Sequence, residues 1–510
     1  MSAFTAINPR TGEATGSEFQ EATAAEVAEA SARALVAFHK WRKLPARDRA
    51  KALRAAGDAL AAAKTEIAAI TDLEAALGEP RIVGELGRTV AQLHAFADLL
   101  TDGGYVEAII NTADPSSTPP KPELRRMLQP LGPVAVFTPS NFPLAYGVAG
   151  GDTASALAAG CSIIVKGHAS QPGTSALCAK ILRSALAMTP AGADVLQLIQ
   201  GRTPDTARAV VNAPEIQAVG FTGSVAAGRA LFNVASARPE PIPFYGELGS
   251  LNPLFIGPAA VAARAEEIAT GLATSITSGA GQFCTKPGLV FVPAGAAGDS
   301  FVKILASKLD VTPAGVLLNE NISNLLSQRT GATSRSQGVT EVTHTTAPTQ
   351  PGYHVAPRLF VTDAATFDAT PALREEHFGP AAIVIMAAPA DMPRLAGTLG
   401  GHLTGSIHAD AADTKWAEQL AGAVTDHVGR LIWNGYPTGV TVVPAMTHGG
   451  PYPSSTSSLH SAVGITAIRR FLRPVSYQNV PDALLPPELR GANTLNIERL
   501  VNGKRTHESS

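Results

Sequence analysis

The spacing of hydrophobic and polar positions changes along the chain and predicts different structures in different stretches. Residues 20–110 are rich in alanine and carry charges at helical spacing, as in ARDRAKALRAAGDALAAAKTEIAAI, so helices are predicted there. The segment ADPSSTPPKP, at 113–122, is too polar and too interrupted by proline for a helix. Over 134–256, short apolar runs alternate with stretches long enough for helices. That alternation predicts repeated β-α-β units and a parallel sheet.

A doubly wound parallel sheet indicates where the functional loops lie. Because right-handed crossovers join its strands, ligands sit at the carboxyl ends of those strands. A second set of apolar runs, LVFV, AAIVIM and LIWN within 258–440, predicts a second α/β domain. The predicted strands of the first sheet are Val134–Phe137, Ser162–Val165, Val195–Leu198, Ala218–Phe221 and Leu254–Ile256. The loops expected to carry function are 138–143, 166–170, 201–203 and 222–224.

Length and composition fit a large protein with several domains. The chain has 510 residues, which exceeds the ~250–300 residues at which a single core usually divides. Hydrophobic residues make up 45% and charged residues 16%, so global disorder is excluded. The 40 Lys and Arg against 42 Asp and Glu give a net charge of −2. This balance gives no electrostatic reason to expect nucleic acid or a membrane as a partner.

Cysteine usage and the N-terminal sequence favour the cytoplasm. Cys161, Cys178 and Cys284 cannot all pair and lack CxxC spacing, so no metal site is expected. The segment MSAFTAINPRTGE lacks the basic and apolar regions of a signal peptide. The uncharged run over 127–151 is long enough to span a bilayer, but prolines interrupt it. We therefore expect a cytoplasmic protein.

Four short segments carry residues suited to chemistry, and each also has a purely structural interpretation. Ser224 in FTGSVAAG either caps a helix or binds phosphate at its positive end. Cys284 is either buried and inert or a reactive thiolate favoured by nearby Lys286. Glu247 in FYGELGS is either paired or a base with a raised pKa. Asn141 in TPSNFP either forms a turn or donates to an oxyanion.

Taken together, six segments in order resemble the NAD(P)-dependent aldehyde dehydrogenase superfamily. The resemblance extends from INPRTGE to HGGPYPSS and so covers most of the chain. It implies that Cys284 is the nucleophile, Glu247 the base that activates water, and the Asn141 amide the oxyanion donor. The six segments are PSNFP, VKGHAS, FTGS, YGELGS, GQFCTKPG and EEHFGP.

The resemblance also implies a site for NADP or NAD. Lys166 would bind the adenosine ribose, Ser224 the pyrophosphate and Glu376 the nicotinamide ribose. Ala169 stands where many NAD-preferring members carry a glutamate for the ribose 2′-hydroxyl, which favours NADP over strict NAD dependence. The implied cofactor-binding residues are Thr138, Pro139, Lys166, His168, Ala169, Gly223, Ser224, Leu248, Glu376 and Phe378.

Three longer segments narrow the resemblance to a branch of this family that oxidises 2,5-dioxopentanoate, or α-ketoglutarate semialdehyde, to 2-oxoglutarate. They are VAVFTPSNFPLAYGVAGGDTASALAAG, GQFCTKPGLVFV and HGGPYPSST. NADP-linked oxidation of fatty or general aldehydes is the alternative. A cysteine acyltransferase or hydrolase that uses Cys284 with His448, and a non-catalytic binding protein, are further alternatives. The residues predicted to line the substrate tunnel are Phe142, Tyr146, Phe283, Thr285 and His448.

An α/β fold with three parts is what this resemblance implies: a doubly wound cofactor-binding domain, an α/β catalytic domain and a β-arm that joins subunits. An exposed two-stranded arm is marginally stable alone, so a homodimer or homotetramer is predicted. The predicted ranges are 1–113 and 131–250 for the cofactor-binding domain, 251–445 for the catalytic domain, 114–130 and 468–482 for the arm, and 486–510 for a C-terminal tail.

Overall fold

The structure is a computed structural model in which residues 3–346 and 348–510 are described. The helices predicted over 20–110 are present as four consecutive α-helices. The first begins at Thr23, which forms a capping box with Glu26. The α-helices are α1 (Ala24–Trp41), α2 (Ala46–Ala62), α3 (Lys64–Ala75), α4 (Glu79–Asp102), α5 (Gly151–Ala159), α6 (Pro172–Leu186), α7 (Pro204–Asn212), α8 (Val225–Ala237), α9 (Pro258–Thr277), α10 (Ala296–Asp310), α11 (Glu320–Ser334), α12 (Ala364–Ala369), α13 (Met392–Gly397) and α14 (Thr414–Thr425).

The strands form three large sheets, an N-terminal hairpin of β1 with β2 and a small pair of β12 with β14. The β-strands are β1 (Ala3–Ile7), β2 (Ala14–Gln20), β3 (Ile109–Asn111), β4 (Leu124–Pro130), β5 (Val134–Phe137), β6 (Ile163–Lys166), β7 (Leu196–Ile199), β8 (Ala218–Thr222), β9 (Phe244–Glu247), β10 (Leu254–Ile256), β11 (Leu289–Pro293), β12 (Gly315–Val316), β13 (Thr340–Glu341), β14 (His354–Val355), β15 (Arg358–Asp363), β16 (Ala381–Ala387), β17 (His402–His408), β18 (Val428–Trp433), β19 (Leu472–Gln478), β20 (Arg499–Val501) and β21 (Lys504–Thr506).

The first large sheet has the strand order β7-β6-β5-β8-β9 and is parallel throughout. The helices α5 to α8 are its crossovers, which confirms the predicted doubly wound arrangement. Four of the predicted strands are present with ends that differ by no more than one residue. The chain reverses direction across the sheet between β5 and β8, so the loops after these strands flank the switch point where ligands bind in such sheets.

The fifth predicted strand of this sheet belongs elsewhere. Leu254–Ile256, or β10, pairs with β11 and β17 in the second sheet. The missing strand is β9, which pairs with β8 and ends at Glu247. Its four residues are flanked by proline and glycine, so the sequence leaves it open as strand or loop.

The second sheet has the order β13-β15-β16-β11-β10-β17-β18 and is parallel except for β13. Residues alternate between its faces, so Leu254 packs with α9 and α10 while Phe255 packs with α12, α13 and α14. The apolar runs LVFV, AAIVIM and LIWN lie in β11, β16 and β18, with the last run extending one residue beyond β18. Burial of β11 and β16 on both faces explains why their runs are continuously hydrophobic, whereas the edge strand β18 leaves Leu431 and Trp433 exposed.

The third sheet joins the two segments predicted as an arm. Strand β19 pairs antiparallel with β4 over their whole length, and β3, β20 and β21 continue the sheet. The segment 486–510, predicted as a C-terminal tail, carries β20 and β21, which extend this sheet. Its Leu489 and Ile497 are buried in the core that contains α4 and β3, and the buried Arg499 donates to carbonyl oxygens of the segment itself. The division into domains stays a prediction.

Among the described helices, none combines the length and apolar character that crossing a membrane requires.

Candidate active site

The residues predicted for catalysis converge where the loop after β5 meets the loop before β11. Asn141 follows β5, and its Nδ2 donates a hydrogen bond to the carbonyl oxygen of Gln282 at 2.9 Å. Gln282 lies two residues before Cys284. The predicted oxyanion donor and the predicted nucleophile are therefore neighbours. We call Asn141, Glu247, Cys284 and His448 the nucleophile cluster.

A buried asparagine that the sequence did not single out fixes the nucleophile loop. Asn252 donates from Nδ2 to the carbonyl oxygen of Cys284 at 2.8 Å and to that of Lys286 at 3.0 Å. Its backbone has φ of 46°, a left-handed conformation that asparagine tolerates. A polar residue between apolar neighbours in SLNPL was the available signal, because a buried amide needs partners.

The Cys284 thiol faces a histidine. Its Sγ lies 3.6 Å from Nε2 of His448. Burial raises the pKa of Cys284 to about 12, with further contributions from Glu247 and Glu376 and an opposing one from Arg88. Burial also lowers the pKa of His448 to about 3, so its imidazole is neutral. At neutral pH this site therefore holds a protonated thiol beside a neutral imidazole.

Lys286 does not stabilise a Cys284 thiolate as the sequence suggested. Its ammonium group is buried and donates to the carbonyl oxygen of Ala381 at 2.7 Å. Its charge acts on Glu376 and lowers the pKa of that carboxyl against the effect of burial. The expectation failed because sequence proximity does not specify which way a side chain points.

Glu247 ends β9 with its carboxyl group buried. Its Oε2 has no hydrogen-bond partner among the described residues. Burial raises its pKa well above the usual range; Asp152 raises it further, while Arg470 and Ser455 oppose the shift. Of the two interpretations open from sequence, this environment fits the base with a raised pKa.

The predicted cofactor residues lie mainly along one edge of the first sheet. Lys166 ends β6, and its Nζ donates to the carbonyl oxygen of Gly201 at 2.5 Å. Burial lowers its pKa to about 8, against the effect of Glu21. Thr138, Pro139, Lys166, His168, Ala169, Gly223, Ser224 and Leu248 follow or end the strands of this sheet, whereas Glu376 and Phe378 precede β16 of the second sheet. We call Lys166, His168, Gly223 and Ser224 the cofactor edge.

The cofactor edge is already hydrogen-bonded within the protein. Ser224 is the N-cap of α8 and accepts from the Ala227 N–H at 3.3 Å. The His168 N–H donates to Oγ1 of Thr138 at 2.9 Å, and burial lowers the His168 pKa to about 4. Ser224 is exposed at the start of α8, so capping and phosphate binding are compatible.

Close backbone approaches make this region suitable for a dinucleotide. A Cβ at Gly249 would lie 2.5 Å from Oε2 of Glu376, and one at Gly281 would lie 2.2 Å from the Gly379 backbone. Glycine at these positions lets the segment after β9 and the nucleophile loop approach the segment that carries Glu376. The residues present therefore fit a nicotinamide dinucleotide laid from the α8 N-terminus toward Cys284.

Three of the predicted substrate residues form an aromatic wall beside the nucleophile cluster. The Phe142 ring centroid lies 5.6 Å from that of Tyr146 and 5.3 Å from that of Phe283. Tyr146 in turn lies 6.3 Å from the His448 ring. Thr285 is buried directly after Cys284. We call Phe142, Tyr146 and Phe283 the aromatic wall.

Two arginines of α4, which the sequence did not reveal, pack on this wall. The Arg81 guanidinium carbon lies 4.6 Å from the Phe283 centroid, and that of Arg88 lies 5.6 Å from the Tyr146 centroid. Their spacing of seven residues on one helix face was a signal, but nothing in the sequence says which surface that face meets.

Among the described residues there is no group of three or more His, Cys, Asp or Glu side chains placed to hold a metal ion.

Comparison with known proteins identifies the class to which this fold and site belong. The chain belongs to the aldehyde dehydrogenase family, whose model matches residues 2–474. It is therefore an NAD(P)-dependent oxidoreductase that acts on aldehydes.

Two relatives cover nearly the full chain. Alpha-ketoglutaric semialdehyde dehydrogenase 2 of Azospirillum brasilense is 43% identical over 502 residues, which is 98% of this chain and 95% of the relative. Alpha-ketoglutaric semialdehyde dehydrogenase of Acinetobacter baylyi is 39% identical over 504 residues, with the same coverage of 98% and 95%. These similarities confirm the predicted resemblance to that branch.

Solved structures show the same fold at lower identity. A 3,6-anhydro-L-galactose dehydrogenase in complex with NAP superposes with a TM-score of 0.80 at 21% identity, covering 94% of this chain and 96% of that one. PnpE in complex with nicotinamide adenine dinucleotide superposes with a TM-score of 0.79 at 20% identity, covering 96% of both chains. The predicted fold class is confirmed.

Proposed function

We propose that this protein oxidises α-ketoglutaric semialdehyde (2,5-dioxopentanoate) to 2-oxoglutarate, with Cys284 as nucleophile. The observation that carries the chemistry is the convergence of the Cys284 thiol, the Asn141 amide, the neutral His448 and the buried Glu247 carboxyl in one cluster. Similarity to two alpha-ketoglutaric semialdehyde dehydrogenases over 98% of the chain supports the substrate.

The first step is removal of the thiol proton. Since burial keeps the Cys284 thiol protonated, a neighbouring base must accept that proton before attack. Nε2 of His448 is neutral and 3.6 Å from Sγ, so it can accept a hydrogen bond from the thiol, but with a pKa of about 3 it is a weak base and the proton must pass on to a stronger one. The thiolate then adds to the aldehyde carbon, and the Asn141 amide donates to the oxygen that becomes negative.

Lys166, Ser224 and Glu376 would hold the cofactor. When bound, NAD(P)+ would supply the hydride acceptor that takes the carbon attached to Cys284 to the oxidation level of a thioester. The polar groups of the cofactor edge would hold its ribose and phosphates, and Phe378 would pack beside its nicotinamide end.

Glu247 completes the reaction. A carboxyl group with a raised pKa is a stronger base once ionised, so it can take a proton from water as that water attacks the thioester. The thioester carbon–sulfur bond breaks, the acid leaves, and the Cys284 thiol is restored. The unpartnered Oε2 of Glu247 is free to accept the hydrogen bond from that water.

We also propose that NADP is favoured over NAD. Ala169 places no carboxylate near Lys166 and His168, so nothing at that position repels a ribose 2′-phosphate. Lys166 carries a positive charge below pH 8, because its pKa is lowered only to about 8. A higher kcat/KM with NADP than with NAD would support this, and an equal or lower value would contradict it.

The remaining proposals concern assembly and location. The arm strands β4 and β19 pair along their length and would be covered by a second subunit, giving a homodimer or homotetramer in the cytoplasm. Light scattering tests this directly, since a monomer at working concentrations would contradict it.

The substrate proposal is tested by NAD(P)H production at 340 nm. α-Ketoglutaric semialdehyde, glutarate semialdehyde, succinate semialdehyde and a medium-chain aldehyde are each compared with both cofactors. A clear kcat/KM preference for the first supports the proposal. A preference for the neutral aldehyde leaves the mechanism intact but reassigns the enzyme to fatty or general aldehydes, and no absorbance change favours a cysteine hydrolase.

A further inference from the structure

The surroundings of the aromatic wall carry more positive charge than the protein itself balances. Arg81, Arg88 and Arg430 all reach this region, yet none of them forms an ion pair with a carboxylate among the described residues. An acid on the same helix, Glu85, accepts with Oε1 from the backbone N–H groups of Leu144 and Ala145. Burial raises the pKa of Glu85 against the effect of Arg81 and Arg88, and it forms no ion pair with either among the described residues.

The three arginines differ in how short their hydrogen bonds to the protein are. Arg430 donates to the carbonyl oxygens of Pro437 at 2.8 Å and of Gly439 at 3.2 Å. Arg81 donates to the Asn141 carbonyl oxygen at 2.7 Å and is stacked on the aromatic wall. These contacts hold the guanidinium groups of Arg81 and Arg430 in place.

Arg88 makes a long hydrogen bond, whereas Arg81, which also has one buried nitrogen without a partner among the described residues, makes a short one. The single hydrogen bond of Arg88 to a described residue is from Nη2 to the Tyr146 hydroxyl, at 3.3 Å. Its Nε is buried and has no partner among the described residues. A half-buried guanidinium with unused donors is costly to leave unpaired and is suited to a carboxylate, which it can bind in a bidentate manner.

Arg88 is linked to the nucleophile through two side chains, and its charge acts on the Cys284 thiol. Its contact with Tyr146 continues through the Tyr146–His448 ring contact to Sγ of Cys284. In the proposed substrate, four carbon–carbon bonds separate the aldehyde carbon from the carboxylate. We infer that Arg88 binds the carboxylate of the substrate beyond the aromatic wall, while the aldehyde lies at Cys284.

This inference rests on the proposed function and adds the origin of its selectivity. A neutral aldehyde of the same length would leave the Arg88 donors unpaired and desolvated, whereas the dicarbonyl acid would satisfy them. Arg88 thus acts as a specificity-determining residue for acidic semialdehydes.

The test compares R88Q with the unaltered enzyme on α-ketoglutaric semialdehyde and on pentanal, at saturating NADP. We expect kcat/KM for the acid to fall about 10- to 100-fold, mainly through KM, as for loss of a hydrogen-bonded charge. Because Arg88 also lowers the pKa of Cys284, kcat/KM for pentanal should fall too, but by a much smaller factor, and R88K should be intermediate for the acid. Equal losses with both aldehydes would show a structural role and overturn the inference.

A matched control separates the effect of the Arg88 charge from that of its hydrogen bond to Tyr146. Y146F removes the hydroxyl that Arg88 contacts but keeps the guanidinium. We expect Y146F to change both aldehydes by similar factors, so the ratio of acid to pentanal stays that of the unaltered enzyme. A loss of that ratio in Y146F, with none in R88Q, would assign the selectivity to Tyr146 and overturn the inference.

A second measurement tests the anion site at Arg88 independently of the proposed substrate. 2-Oxoglutarate should inhibit pentanal oxidation competitively in the unaltered enzyme, and R88Q should weaken that inhibition by a similar factor of about 10 to 100. If the unaltered enzyme prefers pentanal yet shows this inhibition, the proposed substrate fails and the anion site stands. Absence of inhibition in the unaltered enzyme, or equal inhibition in R88Q, overturns the anion site.

Discussion

The cofactor edge and the nucleophile cluster differ in how far the protein satisfies its own polar groups. At the cofactor edge, Lys166 and Ser224 already have hydrogen-bond partners within the chain. In the nucleophile cluster, Oε2 of Glu247 has none among the described residues, and the Cys284 thiol meets only a neutral imidazole. The polar groups of the cofactor edge are thus hydrogen-bonded within the protein, whereas the nucleophile cluster has polar groups free to contact substrate and water.

This difference has a physical consequence. The groups of the cofactor edge, which are hydrogen-bonded within the protein, act as binding contacts, and their loss should change the affinity for the cofactor. Groups that act on the reacting atoms, such as the Cys284 thiol and the Glu247 carboxyl, should instead change the chemical steps when they are lost. The two regions should therefore respond separately to substitution.

C284A should show the largest difference between the effect on turnover and the effect on cofactor binding. Removing the nucleophile should lower turnover by about 10⁴-fold or more, while NADPH binding, measured by fluorescence titration, stays within about twofold because the cofactor edge is untouched. The matched control is C178A, which alters a buried cysteine of α6 outside the site and should retain turnover. Loss of cofactor binding in C284A would show that the regions are not independent.

E247Q should separate hydride transfer from thioester hydrolysis. The amide keeps the shape of the side chain but cannot accept a proton, so thioester hydrolysis should slow by about 10²- to 10⁴-fold. Hydride transfer does not need this base, and a burst of NADPH equal to the active sites should survive in stopped-flow absorbance at 340 nm. An E247Q enzyme without a burst, and with slow first turnover, would instead place Glu247 in thiol activation.

A169E acts on the cofactor edge alone. A carboxylate introduced beside Lys166 and His168 would repel the 2′-phosphate of NADP, so kcat/KM for NADP should fall at least about tenfold. The value for NAD should be retained or improved, since glutamate can accept from the 2′-hydroxyl. A169Q is the uncharged control. An equal fall in kcat/KM with both cofactors in A169E would mean that the glutamate side chain blocks the cofactor site instead of changing its preference between NADP and NAD.

The same contrast explains what the sequence could and could not predict. Strands β5, β6, β7 and β8 and the turn at Ser224 follow from local patterns of hydrophobicity and capping, so the first sheet and its edge were predictable. Strand β9 was not, because four residues between prolines and glycines carry no periodic signal. The short apolar run of β10 was assigned to the wrong sheet, since pairing is decided by contacts distant in sequence.

The nucleophile cluster shows the same limit at the level of side chains. Ordered motifs marked Cys284, Glu247 and Asn141, but the direction of Lys286 away from the thiol follows from packing against β16. Arg88 was missed for the same reason, because its helix carries no motif and its role depends on which surface α4 meets.

The smallest predicted effect is a pH dependence that belongs to the cofactor edge. The pKa of Lys166 is lowered to about 8, so its charge is present below pH 8 and is lost above it. We expect the KM for NADP to rise by about two- to fivefold between pH 7 and pH 9.5, because the attraction to the 2′-phosphate weakens. The measurement is initial rates across that range at fixed, saturating aldehyde.

NAD is the internal control, since it lacks the 2′-phosphate but shares every other contact. Lys286 also has a pKa lowered to about 8 by burial, and its titration beside Glu376 would affect both cofactors alike. The ratio of the two KM values therefore isolates Lys166, and K166M should make that ratio independent of pH. A ratio that rises as steeply in K166M would place the titrating group outside the cofactor edge and would break the separation between the two regions.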